Sequence, residues 1–442
     1  MVIKNVRVID PKTKYDKISD IYINKDKIAA VLSCEDIIPD CIKNDVEIAL
    51  NEGPVIDGSG FVAAPGLIDV HVHFRDPGLT YKEDIETGAK AAVKGGYTTV
   101  VMMANTKPPI DNEESLDYVI KRSKEVNEHT PLRIMPSASV TKSLLGEELT
   151  DADSLIKRGA AGLTDDGIPI MNEKLLEEAF GKAASLNVPV SLHEENPNLI
   201  SENGVNAGPV ADSLGLKGSP REAEISMISR DLPIAIKTGA DVNIQHISTR
   251  EGVDLVRMYK KKQLSEKGEC HIYAEATPHH FSLTQDAVLK HGTLAKMNPP
   301  LRTQEDRLAI IEGLKDGTID IIATDHAPHS KEEKDRDFAK APSGIIGLET
   351  ALSLGITNLV DKGHLTLMEL MGKMSMAPAR LYGFTSGIEV GKPADIVVFD
   401  PNEEWIVGEF NSKSENSPFV GERLKGIIKM TICGGRISYS NL

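Results

Sequence analysis

The stretch GLIDVHVHFRDPG, Gly66 to Gly78, is an apolar run that ends in two histidines one residue apart, His71 and His73. Arg75, Asp76 and a Pro-Gly turn follow at once. Residues i and i+2 of a strand point to the same side. Both imidazoles can therefore face one point, and imidazoles paired with carboxylates are suitable ligands for zinc. An H-x-H pair alone is a weak signal, because a strand-end histidine is often structural. Its meaning depends on what the other strands end in.

Seven further apolar runs bounded by turn residues follow: TTVVMMAN, RIMPSASV, AGLTDDG, VPVSLHEE, DVNIQHIS, HIYAEATPHH and IDIIATDHAPH. Helix-like segments such as YKEDIETGAKAAVKGG and NEKLLEEAFGKAASLN separate most of them. Runs that are apolar on both faces suit a parallel sheet covered by helices. Eight strand–helix units predict an α/β chain built on a (β/α)8 TIM-like barrel. The polar groups come last in the runs: His71 and His73, then Asn105, Asp165-Asp166, His193, His246, and Asp325 with His326 and His329. In such a barrel the C-terminal strand ends share one face, where active sites lie. The pattern predicts a metal site.

Some positions stay open at this level. Asp165 and Asp166 are adjacent, so in a regular strand only one faces a metal, and periodicity does not choose. His279 and His280 are expected to be structural or to back a ligand. His326 should point away from the lumen if its strand is regular. His271 and His291 read as surface histidines.

The two ends of the chain differ from this middle. Val2, Val6, Val8, Ile21, Ile23 and Ile28 alternate between turns, and GKPADIVVFDP and LKGIIKMTICGGRISY repeat the β style near the end. Residues 1–62 and 386–442 are expected to form one composite β-sandwich domain around a barrel of residues 63–385. Ser33 to Gly53 reads as a polar, irregular loop or insertion. The chain is 40% hydrophobic and 26% charged, with a net charge of −16. That balance argues against a nucleic-acid or anionic-membrane surface, since both need basic patches. No apolar run approaches the roughly 20 residues of a membrane helix. The start MVIKNVRVIDPKTKYD has no apolar signal core, so a cytoplasmic protein is expected. Cys34, Cys41, Cys270 and Cys433 form no C-x-x-C pair and read as reduced thiols.

These residues resemble the amidohydrolase superfamily and, within it, the bacterial-type dihydroorotases that carry an aspartate bridge. The specific motifs are HFRDPG, Asn105 in MMANTKPP, TDDG, KMNPPLR and ATDHAPH. The resemblance spans nearly the whole chain, and everything in this paragraph is what it implies. One or two zinc ions per subunit are expected, with two favoured. His71 and His73 would bind the more buried ion, His193 and His246 the second, and Asp166 would bridge. Asp325 would touch the first ion and serve as the catalytic acid/base. His73, Arg75, Asn105 and His329 would contact the substrate, the last three at its carboxylate. Asn298 and the backbone around Ser343 and Gly344 would contact its ring. Many relatives have Phe-Gly where this chain has Ser343-Gly344. The substrate pair would be N-carbamoyl-L-aspartate and L-dihydroorotate. A homodimer is expected, and association with aspartate transcarbamoylase is compatible with it.

Two other readings compete. Hydantoinases and dihydropyrimidinases usually bridge their metals with a carboxylated lysine near the end of the fourth strand, where GLTDDG has none. A non-catalytic, dihydroorotase-like partner of aspartate transcarbamoylase would have lost metal ligands that this chain keeps.

Overall fold

The computed structural model describes residues 1–33, 36, 38–266 and 271–442. Cys34 and Cys270 lie outside the described residues, whereas Cys41 is exposed, Cys433 is buried, and both are free.

Five strands come from the first part of the chain: β1 (Val2–Asp10), β2 (Tyr15–Asn24), β3 (Lys27–Leu32), β4 (Val55–Asp57) and β5 (Val62–Pro65). Eight short ones follow: β6 (Leu67–Val72), β7 (Tyr97–Met102), β8 (Arg133–Pro136), β9 (Leu163–Thr164), β10 (Val190–Leu192), β11 (Val242–Ile244), β12 (Ile272–Ala276) and β13 (Ile321–Ile322). The chain closes with β14 (Ile396–Ile406), β15 (Arg423–Cys433) and β16 (Arg436–Ser440).

The outer strands make one eight-stranded sheet in the order β16-β15-β14-β5-β1-β2-β3, with β4 against β1. Strands from both ends of the chain meet where β14 runs antiparallel to β5. The period of two is visible in β14. Ile396 and Val398 join Ile3, Val8 and Ile21 in the sheet's own apolar cluster. Val397 and Phe399 face the other way, into the large core with Val62 and Ala64.

The middle strands are all parallel: β6-β7-β8 form one sheet and β9-β10-β11-β12-β13 another. Parallel bridges join the two at both seams, Ala138 with Leu163 and Val72 with His326. The second seam is reinforced by the His73 amide, which donates to the His326 carbonyl at 2.9 Å. Every residue of β6 and β7 is buried, as strands covered on both faces require. Helices cover them, and several start from a side-chain cap. Ile85–Lys94 begins at Asp84, whose carboxylate accepts the Thr87 amide in a capping box.

The expected loop at 33–53 is partly helical. A short 3-10 turn, Asp40–Ile42, leads into the helix Lys43–Glu52. Val46 and Ala49, three apart, form its buried stripe against Val2, Tyr22 and Ala30. The polar composition hid this pair. No helix among the described residues is long and apolar enough to cross a membrane.

Candidate metal centre and substrate pocket

β6 ends at Val72, with His71 in the strand and His73 one residue beyond it. Both rings reach the same two carboxylates. His71 Nε2 lies 3.4 Å from Asp166 Oδ1 and 3.6 Å from Asp325 Oδ1. His73 Nε2 lies 3.0 Å from Asp325 Oδ1 and 3.6 Å from Asp166 Oδ2. On the far side of Asp166, His193 Nδ1 is 3.8 Å from Oδ1 and 3.0 Å from His246 Nε2. All six side chains are buried. Burial alone would raise the Asp166 carboxyl, yet His71, His73 and His193 hold it well below the usual carboxylate range. Burial, with His193 and His71 beside it, pushes the His246 ring well down and keeps it neutral.

Donor atoms on one tetrahedral zinc, each about 2.1 Å from it, stand about 3.4 Å apart. The contacts of 3.0–3.8 Å above match that spacing. Two groups, His71-His73-Asp325 and His71-Asp166-His246, each bring three ligand atoms close enough for one ion. His71 Nε2 and His246 Nδ1 are buried without a hydrogen-bond partner, which is costly for a polar atom unless something else completes it. The donor set and its geometry fit zinc.

Two of the six sit in strained backbone. His246 has φ +31° and Asp325 φ +48°, a region few non-glycine residues adopt. Such strain clusters at working sites. His326 points away from the cluster. Its ring turns away toward Glu83, 3.4 Å distant, and accepts the Gly347 amide.

β9 stops at Thr164, so Asp165 and Asp166 lie just past it. Asp165 accepts the Val140 amide at 2.8 Å, the Thr141 amide at 3.1 Å and the Thr141 hydroxyl. Only Asp166 faces the histidines.

Arg75 does not continue the strand. Its φ of +58° breaks the strand's alternation. Its Nε donates to the Pro328 carbonyl at 3.3 Å, close to His329 in sequence. Asn105 uses both ends of its amide. Oδ1 accepts from His73 Nδ1 at 2.9 Å, and Nδ2 donates to Asp166 Oδ2 at 2.9 Å. His329 Nε2 donates to the Ser343 carbonyl at 2.8 Å. Gly344 has φ +118°, and a Cβ there would meet Ala327 Cβ at 2.6 Å, so only glycine fits. Asn298 Oδ1 and Ser343 Oγ are buried without partners. His279 and His280 are buried behind the cluster, and His280 Nε2 donates to the Pro299 carbonyl at 3.1 Å, next to Asn298. His271 is exposed and paired with Asp241 at 3.0 Å.

Sequence reading missed the groups that hold the clustered histidines in place. His71 Nδ1 lies 3.2 Å from Glu275 Oε2 and His193 Nε2 3.1 Å from Glu195 Oε2. Asp69 accepts the amides of His71 at 3.0 Å and Thr324 at 3.2 Å. Glu275 and Asp69 are carboxylates inside apolar runs, a signal that was available in IYAEA and LIDVHV. Lys82, hydrogen-bonded to His329, had no such signal.

A family model described as Dihydro-orotase-like matches residues 60–252. The chain is 54% identical over 441 residues to a dihydroorotase of Clostridioides difficile, with 100% of both chains covered. It is 49% identical to a dihydroorotase of Lactococcus lactis, with 99% of each covered. Among solved structures it resembles an L-hydantoinase (dihydropyrimidinase) of Arthrobacter aurescens. That match has a TM-score of 0.82 at 25% identity and covers 99% of this chain and 96% of the other. A dihydropyrimidinase of Brevibacillus agri, 22% identical, shares the fold at a TM-score of 0.80 over 100% and 95% of the two chains.

Proposed function

The chain belongs to the dihydroorotase family, and from that membership we infer that it catalyses the reversible closure of N-carbamoyl-L-aspartate to L-dihydroorotate and water, a step of pyrimidine synthesis. It is a metal-dependent cyclic amide hydrolase. We read its eight parallel strands as a (β/α)8 barrel of residues 63–385. Residues 1–62 and 386–442 form the composite β-sandwich. The two bridged seams and the shared outer sheet support this reading.

The observation that carries the site assignment is the convergence of six side chains from five strand ends on one cluster. Two zinc ions per chain would be held there. His71, His73 and Asp325 would hold one, His193 and His246 the other, and Asp166 would serve both. When bound, zinc supplies a nucleophile from water at neutral pH and polarises the amide carbonyl. The chain's own residues do the rest. In the hydrolytic direction Asp325 accepts a proton and passes it to the leaving ring nitrogen, as general base and then acid. Arg75 pairs with the substrate carboxylate through its planar fork, and its Nε–carbonyl bond to Pro328 aims that fork. His329 adds a donor to the same carboxylate. The backbone at Ser343-Gly344 and Asn298 face the ring.

Metal analysis beside two hydrolysis assays tests the assignment. About two zinc ions per chain and turnover of dihydroorotate but not of neutral dihydrouracil are expected. Equal turnover of both would overturn the acidic-substrate assignment.

A further inference from the structure

Lys82, His329 and Ser343 form a hydrogen-bonded chain whose directions are forced. Lys82 Nζ lies 3.2 Å from His329 Nδ1, and an ammonium can only donate. His329 Nε2 lies 2.8 Å from the Ser343 carbonyl oxygen, which can only accept. The ring is therefore the neutral Nε2–H tautomer. Burial first, then the cations Arg75, Lys82 and Lys334, push its pKa far down, in keeping with this. A second acceptor competes for the ring. Glu333 Oε2 stands 3.7 Å from the same Nδ1. Lys82 holds that carboxylate through Oε1 at 2.9 Å, and the Tyr81 hydroxyl donates to it at 3.0 Å. Lys82 is only 8% exposed and lies on the segment that follows the Asp76-Pro77-Gly78 turn.

We propose that Lys82 is a positioning residue that fills the Nδ1 lone pair of His329 and restrains Glu333, so that the ring keeps its hydrogen on Nε2, where the Ser343 carbonyl accepts it and the substrate carboxylate would share it. The proposal rests on the assignment of His329 to that carboxylate. Without Lys82, the buried Glu333 carboxylate is the stronger of two acceptors, because hydrogen bonds to ionised groups are roughly twice as strong as neutral ones. The proton would move to Nδ1. A lone pair would then face both the Ser343 carbonyl and the substrate anion. No motif assigns this role to Lys82, and only the fold brings residue 82 to residue 329.

The test combines kinetics with nitrogen-15 NMR of histidine-labelled, metal-loaded enzyme, the His329 signals being assigned by their loss in His329→Asn. In Lys82→Met the His329 ring should invert its protonated nitrogen. KM for dihydroorotate should rise about tenfold or more, the loss of a hydrogen bond to a charged group, with kcat and metal content near those of the parent. Lys82→Arg should keep the parent ring pattern. So should the charge-balanced pair Lys82→Met with Glu333→Gln, which replaces the ionised acceptor with a weaker neutral one; it should also recover most of the KM. It further serves if Lys82→Met alone folds poorly. An unaltered ring in Lys82→Met would overturn the proposal, even with KM raised in His329→Asn. An inverted ring with unchanged KM would instead bring down the carboxylate role of His329, and the positioning role with it.

Discussion

Asp165 and Asp166 are adjacent in the chain, yet their carboxylates serve different parts of the structure. Asp165 closes the turn at Val140-Thr141, while Asp166 stands 3.4 Å from His71 Nε2 and 3.8 Å from His193 Nδ1. Asp166→Asn should release metal and abolish activity with a small change in Tm. Asp165→Asn should keep metal and lose stability by about 1–3 kcal/mol, the cost of disturbing buried hydrogen bonds. Metal analysis and thermal unfolding of the two variants check this. Metal loss from the Asp165 variant alone would reverse the assignment.

The pH dependence of that stability loss has a defined sign. Burial pushes the Asp165 carboxyl up to about 6 in the folded chain, above its unfolded value of about 3.9. The folded state thus takes up a proton first as pH falls. The stability of the parent relative to Asp165→Asn should rise by about 1 kcal/mol between pH 7 and pH 5. Denaturant titrations of both proteins at the two pH values read the difference, and a constant or shrinking gap would contradict it.

Glu275 orients His71 from behind, 3.2 Å from Nδ1. Groups that hold a metal ligand in this way typically contribute 10- to 100-fold to metal affinity. Glu275→Gln should weaken zinc binding by about that factor, measured by competition with a chelator. Unchanged affinity would mean that Glu275 only satisfies a buried ring.

Asp325→Asn removes the proposed proton acceptor while leaving an oxygen in place. The expected loss in kcat is about 10²- to 10⁴-fold, the range of general acid–base catalysis. At least part of the metal should remain, because five other side chains converge on the cluster. Near-normal kcat with full metal would remove Asp325 from the proton path.

Arg75→Met should lower kcat/KM on dihydroorotate by roughly 10- to 150-fold, from the loss of about 1.5–3 kcal/mol. Lysine should rescue only partly, because it lacks the planar fork. If Arg75 merely ties down the Asp76-Pro77-Gly78 turn, dihydroorotate and dihydrouracil would suffer alike, and through stability. Any residual dihydrouracil turnover should instead be indifferent.

The sequence by itself determined the alternation of strands and helices, the β-rich ends, and the residues that end each run. These are local properties. The period of two puts His71 and His73 on one side, and apolar runs covered on both faces demand a parallel sheet. Hence His71, His73, His193, His246 and Asp325 stood out by their place in these runs, whereas Asp166 was singled out from Asp165 only by the family resemblance. The helix Lys43–Glu52 was hidden because its apolar stripe is only Val46 and Ala49 within polar neighbours. Tertiary structure decided what depends on backbone that departs from its strand, or on partners remote in the chain. Asp165 and Asp166 lie past the end of β9, so periodicity has no hold on them. Arg75, His246 and Asp325 adopt positive φ, which local propensity opposes and the surrounding packing imposes. Glu275 meets His71 and Lys82 meets His329 across 204 and 247 residues. Such contacts exist only once the chain closes on itself, because no local pattern specifies which buried polar groups will face each other.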